Sequence, residues 1–134
     1  MGSVLDPELF LPEPEPAEVH CTIISVDDHV VEPPHLFAEY MSPALRQHGP
    51  QLVETADGHQ VWEFEGHRYT QVGMNAVAGR RLETVQLEPF RFDQMRPGCY
   101  EPVARVADMA ANHVEVSLSF PTMPRFCGQT FAEA

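Results

Sequence analysis

The order of predicted elements indicates an α/β fold with two parallel strands, a connecting helix and an inserted antiparallel β-meander. A β-branched run at residues 22–26 predicts a buried strand that ends at the triplet Asp27-Asp28-His29. Apolar residues at helical spacing predict a helix over residues 102–112, and alternating residues predict a second strand over residues 114–120. Because the order is strand, helix, strand, the sheet is expected to be parallel.

The meander is predicted for residues 51–69. Asp57-Gly58 separates two short apolar runs, which is a typical hairpin signal, and Glu65-Gly66 follows the second run. On the predicted strand 114–120, the small serines share one face and the apolar residues share the other. Serines fit a crowded barrel interior with the apolar face packed under helices, although a half-exposed strand shows the same pattern.

Residues 1–20 are acidic and rich in proline. The stretch Pro-Glu-Pro-Glu-Pro at residues 12–16 favours an extended, solvated chain. We therefore expect a flexible leader over residues 1–20 and one domain over residues 21–134.

Charge and cysteine content narrow the functional classes. The formal net charge is −12, from 20 acidic residues against 8 arginines and no lysine. Nucleic-acid binding requires a basic surface, so we expect no nucleic-acid partner, and an anionic membrane is disfavoured for the same reason. Three cysteines without a CxxC pair argue against a disulfide framework. With no secretion signal or membrane span in the sequence, we expect a cytoplasmic protein.

Asp27 and His29 are the candidate metal ligands. In a regular strand, side chains two positions apart point to the same face, so this carboxylate and this imidazole could converge on one cation. Asp28 would then point to the other face. The donor types suit zinc, with manganese or iron as alternatives. The competing interpretation is structural: Asp27 caps the following turn and His29 is an ordinary loop histidine.

Several segments together resemble a known family. They occur at residues 24–34, 73–79, 91–100 and 104–109, followed by Phe120-Pro121. In this order they are similar to the N-terminal portion of the amidohydrolase-related family of metal-dependent hydrolases, which includes aminocarboxymuconate semialdehyde decarboxylase. The resemblance implies a (β/α)8 TIM-type barrel, of which residues 21–134 would be an incomplete part, because a full barrel needs about 250 residues.

The resemblance also implies a function. The family's first motif maps onto Asp27 and His29 as metal ligands, and the family's other ligands come from later strands. A metal-activated water would hydrolyse an amide, ester or C–C bond of a small carbonyl-containing substrate. We expect this chain to be truncated and inactive alone, with no catalytic residue of its own, and the full-length form to be a candidate homo-oligomer. The alternatives are a decarboxylase of the same family and a non-catalytic truncated or pseudogene product.

Three further residues are candidates for the substrate pocket. Asn75 and Arg80 lie in a glycine-containing loop. The resemblance implies that this loop folds over the barrel mouth, and the competing interpretation is a purely structural loop. His35 follows the proline pair Pro33-Pro34 and would lie near the pocket mouth, or on the surface.

Overall fold

The computed structural model describes residues 5–70, 72–73, 75–86, 91–124 and 128–132. Within this part, the chain forms two sheets and several short helices. The strands are β1 (Ile23–Val30), β2 (Gln51–Glu54), β3 (Gln60–Phe64), β4 (His67–Tyr69) and β5 (Val114–Pro121). The α-helices are α1 (Leu36–Tyr40), α2 (Pro43–Arg46), α3 (Pro102–Ala111) and α4 (Gln129–Ala132), and single 3₁₀ turns cover Leu82–Thr84, Phe92–Gln94 and Pro97–Cys99.

The two sheets follow the predicted order. β1 pairs with β5 in parallel, and α3 precedes β5, as the sequence predicts. The second sheet is an antiparallel meander in the order β2-β3-β4. Its two turns place Gly58 and Gly66 at positive φ, the left-handed region that glycine enters without a steric penalty. The predicted helix, second strand and meander are therefore present, with ends that differ by a few residues at most.

β1 differs from its prediction in length and in burial. It extends to Val30, so Asp27 and His29 lie inside the strand and not after it. Ile24 and Val26 are each 66 % exposed, although the β-branched run predicted a buried strand. The reason is that β1 and β5 form a two-stranded sheet in the described part of the chain, and no other described element covers these apolar side chains.

The faces of β5 and α3 are the reverse of the expectation. Arg105 of α3 donates hydrogen bonds to Ser117 and Ser119, so the serine face of β5 lies toward the helix. Val116 and Leu118, in the middle of the apolar face of β5, are exposed, and so is the apolar stripe of α3, where Val103 is 87 % exposed. The periodicity of the sequence locates the apolar stripe of α3 correctly. It does not show that Arg105, on another face of the helix, makes the contacts with β5.

The core lies between the meander and the carboxyl ends of the parallel strands. Trp62 of β3 is fully buried and meets the ring of Phe37 edge to face, with ring centroids 5.2 Å apart. Phe92 and Tyr100 form a similar pair at 5.0 Å. The buried cluster brings together β1, the meander and the segment after β5, and it contains Val31, Trp62, Val72, Ala76, Phe92, Met95 and Met123.

Residues 5–13 form a docked segment, here called the N-terminal strap, where the sequence predicted part of a flexible leader. Phe10 is 2 % exposed and forms an antiparallel bridge with Arg80. The Leu11 amide donates to the Gly79 carbonyl at 2.8 Å, and the Arg81 amide donates to the Leu9 carbonyl at 2.9 Å. A single buried aromatic ring and these backbone bonds hold this segment, whereas residues 14–20 are exposed and form no helix or strand.

Candidate functional site

A cavity of about 860 Å³ lies at the carboxyl ends of β1 and β5. His29 forms part of its wall next to Phe120, with ring centroids 6.3 Å apart. The other walls come from the end of the meander, the loop after it, α3 and the segment after β5. The remaining lining residues are Asp28, Val31, Arg68, Tyr69, Thr70, Asn75, Ala76, Ala78, Cys99, Arg105, Pro121, Thr122 and Met123.

A polar network lines one side of the cavity. Ser117 donates a short hydrogen bond to the Asp28 carboxylate, and a guanidinium nitrogen of Arg105 lies 3.6 Å from the same carboxylate. Arg105 also donates to the hydroxyls of Ser117 and Ser119 and to the backbone carbonyl of His29. The hydrogen bond from Ser117 lowers the pKa of Asp28, and the hydrogen bond from Ser25 and the charge of Arg105 act in the same direction. Asp28 is therefore an ionised carboxylate, and its Oδ2 atom is already engaged by Ser117 and Arg105.

The pairing of β1 with β5 is irregular at the candidate metal ligands. Ser25 pairs with Ser117, and Asp28 pairs with Ser119, so β1 uses three residues where β5 uses two. Such an extra residue is a β-bulge, and it interrupts the alternation of side chains. Only a regular strand would put Asp27 and His29 on one face and Asp28 on the other, so strand geometry alone does not separate the two aspartates here.

The structure places the two predicted metal ligands differently with respect to the cavity. Both side chains are exposed, but only His29 is part of the cavity lining. Their donor types, one imidazole and one carboxylate, fit zinc. Within the described residues, no group of three or more histidine, cysteine or acidic side chains is arranged to hold a metal ion. A metal at this place would therefore take most of its coordination from elsewhere, and the assignment of Asp27 and His29 stays a prediction.

Of the three predicted pocket residues, only Asn75 lines the cavity. Asn75 lines the cavity and has φ of 62°, a left-handed conformation that asparagine tolerates better than most residues. Arg80 is buried, and its guanidinium donates to the carbonyls of Gln94 at 2.7 Å and Thr84 at 2.6 Å. Arg80 thus joins loop segments and does not line the cavity. His35 lies 4.0 Å from Glu101, also outside the cavity lining.

Sequence reasoning missed several cavity residues. Arg105 lies on the correctly predicted helix α3, and Thr122 lies just beyond β5, but no local pattern marks either residue as lining a cavity. Cys99, one of the three cysteines, is half-buried in the cavity wall, where burial raises the pKa of its thiol. Its carbonyl accepts the Val31 amide at 2.9 Å. Such long-range contacts have no signature in the spacing of one sequence.

No protein-family model matches the chain, and no curated protein matches it significantly. In the part of the chain that the structure describes, no helix has both the length and the apolar character needed to cross a membrane.

Proposed function

We propose that this chain forms the opening part of a metal-dependent hydrolase of the amidohydrolase-related family, acting on a small carbonyl-containing substrate in the cytoplasm. The observation that carries the proposal is the cavity at the carboxyl ends of two parallel strands, with His29 in its wall. In (β/α) barrels the active site lies at this end of the strands. The resemblance of residues 24–34 to the family's first metal-binding motif supports the same location.

The exposed apolar faces support the proposal that the barrel is incomplete. Parallel sheets are almost always covered on both faces, and their edges are paired with further strands. Here β1 and β5 pair only with each other within the described residues. The exposed apolar side chains are Ile24 and Val26 on β1, Val116 and Leu118 on β5, and Val103 on α3. Further strands and helices of a barrel would cover these surfaces.

Asp27 and His29 are the residues that would hold the metal. Asp28 is the less suitable carboxylate, because Ser117 and Arg105 already engage it. A bound divalent metal would lower the pKa of a coordinated water and polarise a substrate carbonyl. The same pair of ligands would also serve a decarboxylase of this family, which is the alternative activity. With two protein ligands, we expect weak metal binding and no turnover by this chain alone.

Zinc titration of the purified chain tests the proposal. We expect weak one-to-one binding by isothermal titration calorimetry, and the zinc should be removed by dialysis against a mild chelator. Asp27→Ala and His29→Ala should each abolish the binding. His35→Ala is the matched control, because His35 is a half-exposed histidine outside the cavity lining, and it should bind zinc as the wild type does. Equal affinity in all four proteins would contradict the ligand assignment.

A second candidate of another class is a non-catalytic truncated or pseudogene product. It is favoured by the position of Asp27, which is exposed and lies outside the cavity lining that includes His29. It predicts that Asp27→Ala and His29→Ala leave zinc affinity unchanged. Loss of binding in both variants would favour the enzyme-derived site.

A further inference from the structure

Glu32 is a buried carboxylate that the proposed metal site does not use. The residue is 5 % exposed and lies two positions after the end of β1. One carboxylate oxygen accepts the amide N–H of Thr122 at 2.9 Å, and the other accepts the amide N–H of Met123 at 3.0 Å. Both oxygens of one side chain are thus bonded to consecutive backbone amides just beyond β5.

These two bonds fix a part of the cavity wall. Thr122 and Met123 both line the cavity, and so does Val31, the residue before Glu32. The Thr122 hydroxyl also donates to the Val30 carbonyl at 2.9 Å, so the same segment is bonded to the last residue of β1. Glu32 therefore joins the chain that leaves β1 to the chain that leaves β5, at the end of the sheet where the cavity opens.

A buried carboxylate is a costly way to make such a connection. Burial raises the pKa of Glu32 even though the amides of Met123 and Thr122 act in the opposite direction. The cost of desolvating the charged form therefore outweighs the stabilisation that the hydrogen bonds give to it. An apolar side chain would avoid the desolvation but would leave two backbone amides without an acceptor. The arrangement is consistent with a group retained for the geometry that it imposes.

We propose that Glu32 is a positioning residue, which holds Thr122 and Met123 in place and so shapes the wall of the cavity beside Phe120. Its importance for substrate binding rests on the proposed function, whereas the positioning itself does not. Glu32 acts through the backbone of its partners, and it is not assigned any contact with a substrate or a metal.

Nuclear magnetic resonance of the 134-residue chain tests this role. Amide hydrogen exchange is measured at Thr122 and Met123, and the ring signals of His29 and Phe120 report on the cavity. The variants are Glu32→Gln, which keeps the size but can offer only one acceptor oxygen, and Glu32→Asp, which keeps the charge but is shorter. Glu115→Gln is the control, since Glu115 is an exposed acid on β5. The indole signal of Trp62 monitors the core.

In the wild type we expect both amides to be protected from exchange. In Glu32→Gln we expect at least one of them to exchange about tenfold faster, the effect of losing one hydrogen bond. The ring signals of Phe120 and His29 should shift, while the Trp62 indole stays in place. Glu32→Asp should give a smaller change, and Glu115→Gln none.

Three results would overturn the proposal. The first is unprotected Thr122 and Met123 amides in the wild type. The second is a Glu32→Gln variant in which the cavity rings do not shift, whatever the amides do. The third is failure of both Glu32 variants to fold, because Glu32 would then be needed for the fold as a whole. A wild type that binds no zinc would reject the proposed function and leave this result intact.

Discussion

Replacing Phe10 by alanine tests whether the N-terminal strap is part of the folded structure. Phe10 is 2 % exposed, and the Arg80 guanidinium lies 5.8 Å from the centre of its ring. Removing a buried phenylalanine side chain costs about 3–5 kcal/mol in protein cores. We expect about 3 kcal/mol here, because a terminal strap can relax around the space that is left.

Urea denaturation measures this loss. For a protein of this size, a slope of about 1.5–2 kcal/mol per molar urea converts 3 kcal/mol into a midpoint lowered by about 1.5–2 M. Leu11→Ala is the matched control. The Leu11 side chain is next to Phe10 in sequence and is 50 % exposed, so its removal should cost less than about 1 kcal/mol. The amides of Leu11 and Arg81 form the backbone hydrogen bonds between the strap and the segment around Arg80. Their hydrogen exchange should accelerate in Phe10→Ala. Equal midpoints for the two variants would refute the docked strap and favour the flexible leader that the sequence predicted.

The remaining predictions concern charge, pH and the thiols. Asp108→Ala should lower the free energy of unfolding by about 1–3 kcal/mol in the urea assay, because the half-buried Arg96 loses its hydrogen bonds of 2.7 and 2.8 Å to Asp108. Glu13→Ala removes an exposed partner of the same arginine and should cost less than about 1 kcal/mol. Because burial raises the folded-state pKa of Glu32, its contribution to stability is complete below the unfolded pKa and is lost as pH rises through the folded value. Wild type should therefore lose stability relative to Glu32→Gln between acidic and neutral pH, and the opposite slope in paired urea titrations would contradict the assignment. Iodoacetamide should modify the exposed Cys21 faster than the half-buried Cys99, because burial raises the pKa of the Cys99 thiol. Peptide mass spectrometry measures both rates, and equal rates without urea would contradict the burial of Cys99 in the cavity wall.

The elements that the sequence predicted well are those with a strong local signal. The helix beginning at Pro102 and the alternating strand beginning at Val114 each carry a complete pattern within about ten residues. The Asp57-Gly58 turn likewise fixes the first hairpin of the meander through the positive φ of Gly58. Local patterns of this kind do not depend on what the rest of the chain does.

The features that were missed depend on contacts between distant residues. Phe10 pairs with Arg80, and Glu32 bonds to Thr122 and Met123, across 70 and 90 residues or more. No periodicity in one sequence records such a pairing. The inward turn of Arg105 is similar, since its partners Ser117, Ser119 and Asp28 come from two different strands.

The candidate site shows both situations. The spacing of Asp27 and His29 in a regular strand predicts that both face one site, and His29 does line the cavity. The β-bulge in β1 between Ser25 and Asp28 could not be foreseen, because a bulge depends on the pairing with β5 as well as on the sequence of β1. The family resemblance supplied the metal chemistry, and the ligand set that it implies remains a proposal.

The imidazole nitrogen signals of His29 during a zinc titration report most directly on whether His29 binds a divalent metal together with Asp27. We predict that added zinc shifts a ring nitrogen of His29 in the wild type and in Asp28→Asn, and that the shift is lost in Asp27→Ala. A His29 ring that does not respond to zinc, or one that responds equally in Asp27→Ala, would contradict the proposed site.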